Sequence, residues 1–220
     1  MWRTAYRLRP PLLRLGMGQR IANYILISWR DVATATAAIA LADCLELWSG
    51  RRDLGLALSE IGLQANAPVE QLAVLSALLF LCCYAINLGF GLFRQAARIR
   101  PTATTVNMVP ETPSETVVLM LVLAPLSGIA EEIAFRGALM WAFTTVSGDP
   151  ISAVGSQAVI FGIVHLYQGG LGVLRTTAVG AVLGVGTLIC GSLIPAMIAH
   201  ALINAAVGTG RVSRATPAKR

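Results

Sequence analysis

The stretch Glu131-Glu132-Ile133-Ala134-Phe135-Arg136 places three ionisable side chains within six residues. The sequence on either side of it, residues 117–126 and 137–143, is entirely apolar. Charged side chains at membrane depth are costly and persist mainly where they are paired or functional. The stretch therefore predicts a membrane-spanning helix that carries a functional polar site.

Helical geometry separates the two glutamates of this stretch. Glu132 and Arg136 stand four residues apart on one helix face, with the acid on the favourable N-terminal side. Glu131 lies about 140° around the helix from Arg136 and has no local partner. We therefore predict that Glu132 and Arg136 form a structural ion pair and that Glu131 is the catalytic carboxylate.

The composition is that of an integral membrane protein. Of the 220 residues, 55% are hydrophobic and 13% are charged, and the mean hydropathy is +0.69. A soluble domain carries about 25% charged residues. The net charge of +6 could indicate a nucleic-acid partner, but no basic patch is interleaved with aromatic residues. Basic residues of membrane proteins collect in cytoplasmic loops, so we expect membrane lipids and no nucleic acid as partners.

Apolar spans predict an all-α, polytopic transmembrane bundle of about six helices. The first span is weak because it carries Asp43 and Glu46, and whether it crosses stays open. The second contains no charge and is long enough to cross a ~30 Å core. The six spans are residues 32–49, 71–93, 116–146, 151–167, 171–190 and 195–209. Most of the 17 Lys and Arg residues then fall on one side, which predicts that both termini are cytoplasmic.

We divide the chain accordingly into a basic cytoplasmic segment (1–31), N-terminal transmembrane helices and loops (32–115), a polar-site core (116–209) and a basic tail (210–220). The long third span is predicted to be tilted, or broken near Pro125. Gly180 and Gly184 have the spacing of closely packed helices, either within one chain or in a dimer. Asn87 is predicted to make a hydrogen bond between helices.

Both histidines of the chain lie in apolar spans. His200 and Asn204 share one helix face, and with Glu131 and His165 they indicate one shared polar cavity. A glutamate and a histidine can take a proton from water, and a histidine and an asparagine can stabilise an oxyanion. The span boundaries, however, place the two histidines near opposite membrane surfaces. A shared site therefore requires a broken helix or boundaries that are shifted by several residues.

Three motifs occur in order: Glu131-Glu132-x-x-x-Arg136, Phe161-x-x-x-His165 and His200-x-x-x-Asn204. Together they resemble the motifs of the CPBP intramembrane proteases. That family includes the CAAX prenyl endopeptidases and the bacterial abortive-infection and bacteriocin-immunity proteins. The resemblance covers residues 116–209, and no motif of the family is found in residues 1–115.

The resemblance implies an intramembrane endopeptidase that cleaves membrane-associated peptides or proteins. Glu131 and His165 would activate water, while His200 and Asn204 would hold the oxyanion. The supporting residues would be Glu132, Arg136 and Phe161. The chain is short beside the eukaryotic prenyl-protein proteases, which favours the prokaryotic, CAAX-prenyl-endopeptidase-like branch and a plasma-membrane location. The single Lys against 16 Arg indicates a GC-rich genome.

Other functions stay open at this point. The family has been called metalloproteases, and Glu131, His165 and His200 could bind zinc. The HExxH motif is absent, however, and a mechanism that requires no cofactor is equally consistent. A serine protease is disfavoured because Ser127-Gly128 lacks the flanking GxSG sequence. A non-enzymatic immunity-type protein that acts by binding a partner, or a transporter, would also use intramembrane polar residues. The sequence does not indicate the oligomeric state.

Overall fold

The computed structural model describes residues 16–48, 62–63 and 67–215. All regular secondary structure in these residues is helical, which confirms the predicted all-α class. The helices are α1 (Met17–Trp48), α2 (Val69–Ala96), α3 (Ala103–Asn107), α4 (Pro113–Ser147), α5 (Pro150–Val164), α6 (Gly170–Cys190) and α7 (Ile194–Ala215). Parts of the predicted basic segments, namely residues 1–15 and 216–220, lie outside the described residues.

Among the described helices, four are long and apolar enough to cross a membrane. Their apolar parts are Gly18–Leu45, Val69–Ala96, Pro113–Ser147 and Gly170–Cys190. Two shorter apolar helices follow in the second half of the chain, Pro150–Val164 and Ile194–Gly208. The protein is therefore an integral membrane protein. The six apolar helices follow the order of the predicted spans, while the number of crossings and the orientation stay predictions.

The first apolar helix begins much earlier than predicted. α1 starts at Met17 rather than at residue 32, although Arg20 and Arg30 interrupt the apolar pattern of its first half. Both arginines are paired with acids, which reduces the cost of placing them in an apolar helix. Arg20 Nη2 lies 2.8 Å from Glu111 Oε2, and Arg30 Nη2 lies 2.6 Å from Asp31 Oδ1.

Helix α4 runs without a break through Pro125, so the predicted alternative of a broken helix is wrong. Proline cannot donate a backbone hydrogen bond, and a wider, π-helical section at Leu119–Leu123 precedes it. There the N–H of Ala124 donates to the carbonyl five residues back. A second π-helical section, Ile133–Leu139, directly follows the two glutamates. Such sections are frequent at functional sites.

Helices α5 and α6 pack closely because glycines face α5. A Cβ atom at Gly180 would lie 3.3 Å from Ala158 Cα, and one at Gly184 would lie 3.2 Å from Val154 Cγ1. The GxxxG spacing therefore serves packing within the chain. The predicted interhelical hydrogen bond of Asn87 is also confirmed, since its Oδ1 accepts from Arg175 Nη1 at 3.0 Å.

Two helix starts in the second half of the chain carry side-chain caps. Thr112 and Glu115 form a capping box at the start of α4, the contact expected where a Thr is followed three residues later by a Glu at a helix start. Asp149 caps α5, and its carboxylate accepts hydrogen bonds from the N–H groups of Ile151 and Ser152. These backbone hydrogen bonds hold the pKa of Asp149 below its ordinary value. The two caps fix the residues at which α4 and α5 begin.

Gly128 sets the distance between α4, which carries the glutamates, and α7, which carries His200. A Cβ atom at residue 128 would lie 2.8 Å from Ala201 N and 3.0 Å from Ala201 Cα. Backbone atoms cannot rotate away, so we expect Gly128→Ala to separate the helices and lower the free energy of unfolding by about 1–3 kcal/mol. The matched control is Gly155→Ala on α5, where no heavy atom lies within 4 Å. Equal unfolding midpoints for the two variants in detergent would contradict this expectation.

Candidate functional site

A cavity of about 160 Å³ lies inside the helix bundle. Four polar residues predicted from the sequence line it: Glu131, His165, His200 and Asn204. They come from α4, the turn after α5, and α7, which are far apart along the chain. The apolar part of the lining includes Ile27, Leu119, Leu123 and Val207. The cavity therefore combines a polar cluster with an apolar wall.

His200 lies between the two glutamates. Its Nδ1 is 2.6 Å from Glu132 Oε1, and its Nε2 is 3.6 Å from Glu131 Oε2. Glu132 Oε1 also accepts a hydrogen bond of 2.8 Å from Arg136 Nη1. The predicted Glu132–Arg136 ion pair is therefore present, and it extends to a third residue. Glu132 fixes the orientation of the imidazole, a contact that the sequence analysis did not predict.

Phe161 links the two histidines and the buried arginine. The Arg136 guanidinium carbon lies 4.2 Å from the centre of the Phe161 ring, within the range of a cation–π interaction. The same ring lies 4.6 Å from the His165 ring and 6.0 Å from the His200 ring, measured between centroids. Gly180 leaves room for this stack, because a Cβ there would lie 3.1 Å from Phe161 Cδ1.

His165 lies directly after the last residue of α5, because the helix ends at Val164 and not at residue 167, where the predicted span ends. Its Nδ1 is 2.7 Å from the carbonyl oxygen of Phe161. A carbonyl oxygen only accepts, so Nδ1 carries the proton and the neutral ring keeps a lone pair on Nε2. This contact draws the ring back by one turn towards Phe161. α5 has 15 residues, about 22 Å, so its end lies within the depth of the bundle. The two histidines therefore meet without a broken helix.

Two charged residues of α1 reach the site, and the sequence analysis missed them. Arg30 lines the cavity, and its Nη2 lies 4.0 Å from Glu131 Oε1. Asp31 is buried and accepts a hydrogen bond from Ser127 Oγ on α4. The sequence analysis places residues 1–31 in a cytoplasmic segment. The pattern that could indicate their role is the pair of adjacent opposite charges, Arg30 and Asp31, at the edge of a long apolar stretch.

The segment between α2 and α4 closes one side of the cavity. Thr105, Met108 and Val109 are part of the cavity lining. The segment is held at one end by a hydrogen bond of 2.9 Å from Thr102 Oγ1 to the carbonyl oxygen of Tyr167. At its other end, Tyr24 Oη donates to the carbonyl oxygen of Met108 at 3.1 Å. A large substrate can therefore enter only from another side or after this segment moves.

A metal site finds no support in the geometry. Within the described ranges, no three His, Cys, Asp or Glu side chains are grouped so that they could hold a metal ion. The proposed ligands Glu131, His165 and His200 also have other contacts: His200 Nδ1 meets Glu132, and His165 Nδ1 meets a carbonyl oxygen.

Comparison with known proteins found a match to a family model that covers the C-terminal part of the chain. Residues 113–206 match the family model described as Type II CAAX prenyl endopeptidase Rce1-like. These residues contain α4, α5, α6 and the part of α7 that carries His200 and Asn204. No curated protein and no solved structure matches the chain.

Proposed function

Because residues 113–206 form an Rce1-like domain of the CPBP intramembrane protease family, we propose that this protein is an endopeptidase of membrane-associated peptides or proteins. One observation carries the proposal: Glu131, His165, His200 and Asn204 line a single cavity inside the bundle. A transporter or an inert polar core would not require this particular set of a base, two imidazoles and an amide.

The proposed reaction is hydrolysis with water as the nucleophile. Glu131 takes one proton of the water, and the Nε2 lone pair of His165 accepts a hydrogen bond from its other O–H, as the water oxygen adds to the carbonyl carbon of the substrate. The proton then passes to the leaving amine as the C–N bond breaks. Asn204 contributes an amide N–H to the oxyanion. His200, whose Nδ1 contacts Glu132 and which lines the same cavity, is the proposed second donor.

Glu132 and Arg136 act indirectly in this mechanism. Glu132 Oε1 lies 2.6 Å from His200 Nδ1, so it holds the ring with Nε2 towards the cavity. Arg136 in turn fixes Glu132 through their 2.8 Å contact. Positioning of this kind matters because small displacements of reacting groups cost large factors in rate.

The proposed substrate class is a chain end or segment embedded in the membrane. The apolar lining of the cavity, which includes Leu119, Leu123 and Val207, suits an apolar substrate segment. The family name points to prenylated CAAX sequences. The direct test is cleavage by purified protein in liposomes, with a fluorogenic prenylated CAAX peptide and a set of membrane-protein tails. Failure of folded protein to cleave any of them would favour the immunity-type binding function.

We propose that the reaction requires no metal. Treatment with EDTA or 1,10-phenanthroline is then expected to leave the cleavage rate unchanged, because protein side chains alone activate the water. The rate is measured before and after dialysis against chelator, and again after zinc is added back. A loss of activity that zinc restores would overturn the metal-free mechanism.

We also propose, from the charge distribution, that both termini face the cytoplasm of a prokaryotic cell and that the protein resides in its plasma membrane. The test places single cysteines near each terminus in a cysteine-free variant and labels intact cells with an impermeant thiol reagent. Labelling of either terminus before lysis would contradict the orientation.

A further inference from the structure

Helix α1 lies outside the matched residues 113–206 and yet packs directly on the proposed site. Its Ala35 belongs to one hydrophobic cluster with Ala130, Ala134 and Phe135 of α4, which are the neighbours of Glu131 and Glu132. α1 therefore runs along the face of α4 that leads to the catalytic carboxylates. Its charged residues lie within reach of the proposed chemistry.

A series of polar contacts begins on α4, passes through two residues of α1 and ends on α4 again. Ser127 Oγ donates to Asp31 Oδ2. The other oxygen of Asp31 accepts from Arg30 Nε at 3.0 Å and from Arg30 Nη2 at 2.6 Å. Asp31 is only 3% exposed, so its position is fixed by packing. Two contacts to one buried acceptor fix the plane of the Arg30 guanidinium.

The last residue in this series of contacts is Glu131. Arg30 Nη2 lies 4.0 Å from Glu131 Oε1, and His200 Nε2 lies 3.6 Å from Glu131 Oε2. The two oxygens of the carboxylate thus face different helices, α1 and α7. A separation of 4.0 Å is too long for a hydrogen bond. The Arg30 side chain is 51% exposed and that of Glu131 10%, so the guanidinium still attracts the carboxylate at this range but less than a fully buried cation would.

We propose that Arg30 is a positioning residue that orients the Glu131 carboxylate, with Asp31 and Ser127 as its anchor. The site of the Rce1-like domain is then completed by a helix outside that domain. The attraction holds Oε1 towards α1 and leaves Oε2 directed to His200 and the cavity. This inference rests on the proposed function, in which Glu131 is the base. The competing explanation is that Arg30 and Glu131 form only a partly exposed ion pair. Such pairs contribute little to stability.

The kinetic test compares Arg30→Ala and Arg30→Lys with Arg100→Ala, which removes an exposed arginine that does not line the cavity. We expect Arg30→Ala to lower kcat roughly 10- to 100-fold with little change in KM. Arg30→Lys should recover part of the loss, because it keeps the charge but not the two-nitrogen contact. Millimolar guanidinium should partly restore Arg30→Ala and leave the control unchanged. If Arg30→Ala has the wild-type kcat, or if the substitution raises KM and leaves kcat unchanged, the proposal is overturned.

A second measurement does not depend on turnover. Dicyclohexylcarbodiimide labels carboxyl groups in apolar surroundings, and mass spectrometry gives the rate at Glu131. We expect faster labelling in Arg30→Ala than in wild type or Arg100→Ala, because the guanidinium no longer shields the carboxylate. Equal rates would refute the role of Arg30, even if the protein cleaves. Faster labelling without cleavage by wild type would instead support the contact and refute the protease function.

Discussion

Glu131→Gln is expected to abolish cleavage, with kcat reduced by roughly 10³-fold or more. The substitution keeps the size of the side chain and its position in the cavity but removes the group that takes the proton from water. Because glutamine is uncharged and nearly isosteric, the helix content and the unfolding midpoint should stay near those of wild type. The measurement is single-turnover cleavage of the liposome substrate, together with circular dichroism.

The matched control for this prediction is Glu70→Gln. Glu70 is exposed in the first turn of α2 and does not line the cavity, so the variant should cleave at the wild-type rate. Cleavage by Glu131→Gln at a rate close to that of the control would remove Glu131 from the mechanism. Loss of activity in both variants would point to a general effect of the substitutions on the membrane-embedded protein.

Arg136→Met is expected to lower the free energy of unfolding by about 3–5 kcal/mol. Arg136 is 1% exposed and pairs with Glu132, which is fully buried. Methionine fills much of the volume but leaves a buried carboxylate without its cation, and the contact with the Phe161 ring is also lost. The measurement is the unfolding transition in detergent.

A double variant separates loss of charge pairing from loss of packing. If the unpaired carboxylate causes the destabilisation, Arg136→Met combined with Glu132→Gln should be more stable than Arg136→Met alone. The exposed Arg100→Met serves as the control for arginine replacement and should change stability by less than about 0.5 kcal/mol. A double variant less stable than either single variant would show that packing, and not the buried charge, dominates.

The membrane class, the all-helical fold and the local contacts of the site were predictable from the sequence. A membrane-spanning helix can be recognised from its own sequence, because the thickness of the bilayer core sets the length of the apolar stretch. The Glu132–Arg136 pair joins residues four positions apart, and the Thr112–Glu115 capping box joins residues three positions apart. Helix geometry brings residues at these spacings together. The order of the three motifs was likewise sufficient to indicate the family.

The extent of α1 could not be predicted in the same way. Arg20 and Arg30 read as the edge of a cytoplasmic segment because a lone charge is costly in an apolar helix. The acid that pairs with Arg20 is Glu111, 91 residues away, and hydropathy along the chain contains no information about such a partner. Hydropathy therefore predicts a start of the first span that is too late, at residue 32 and not at Met17. For the same reason it does not indicate that Arg30 belongs to the site.

The sequence by itself determined the helices, their apolar character and the residue types of the site. Only the tertiary structure decided how those residues meet: His200 contacts Glu132 across 68 positions, and Asp31 contacts Ser127 across 96. The physical reason is that spacing along a helix determines contacts within four residues. Contacts between helices depend on how closely the helices approach, which Gly128 and Gly180 allow at α4 and α6. The orientation of Glu131 between α1 and α7 is a property of that packing alone.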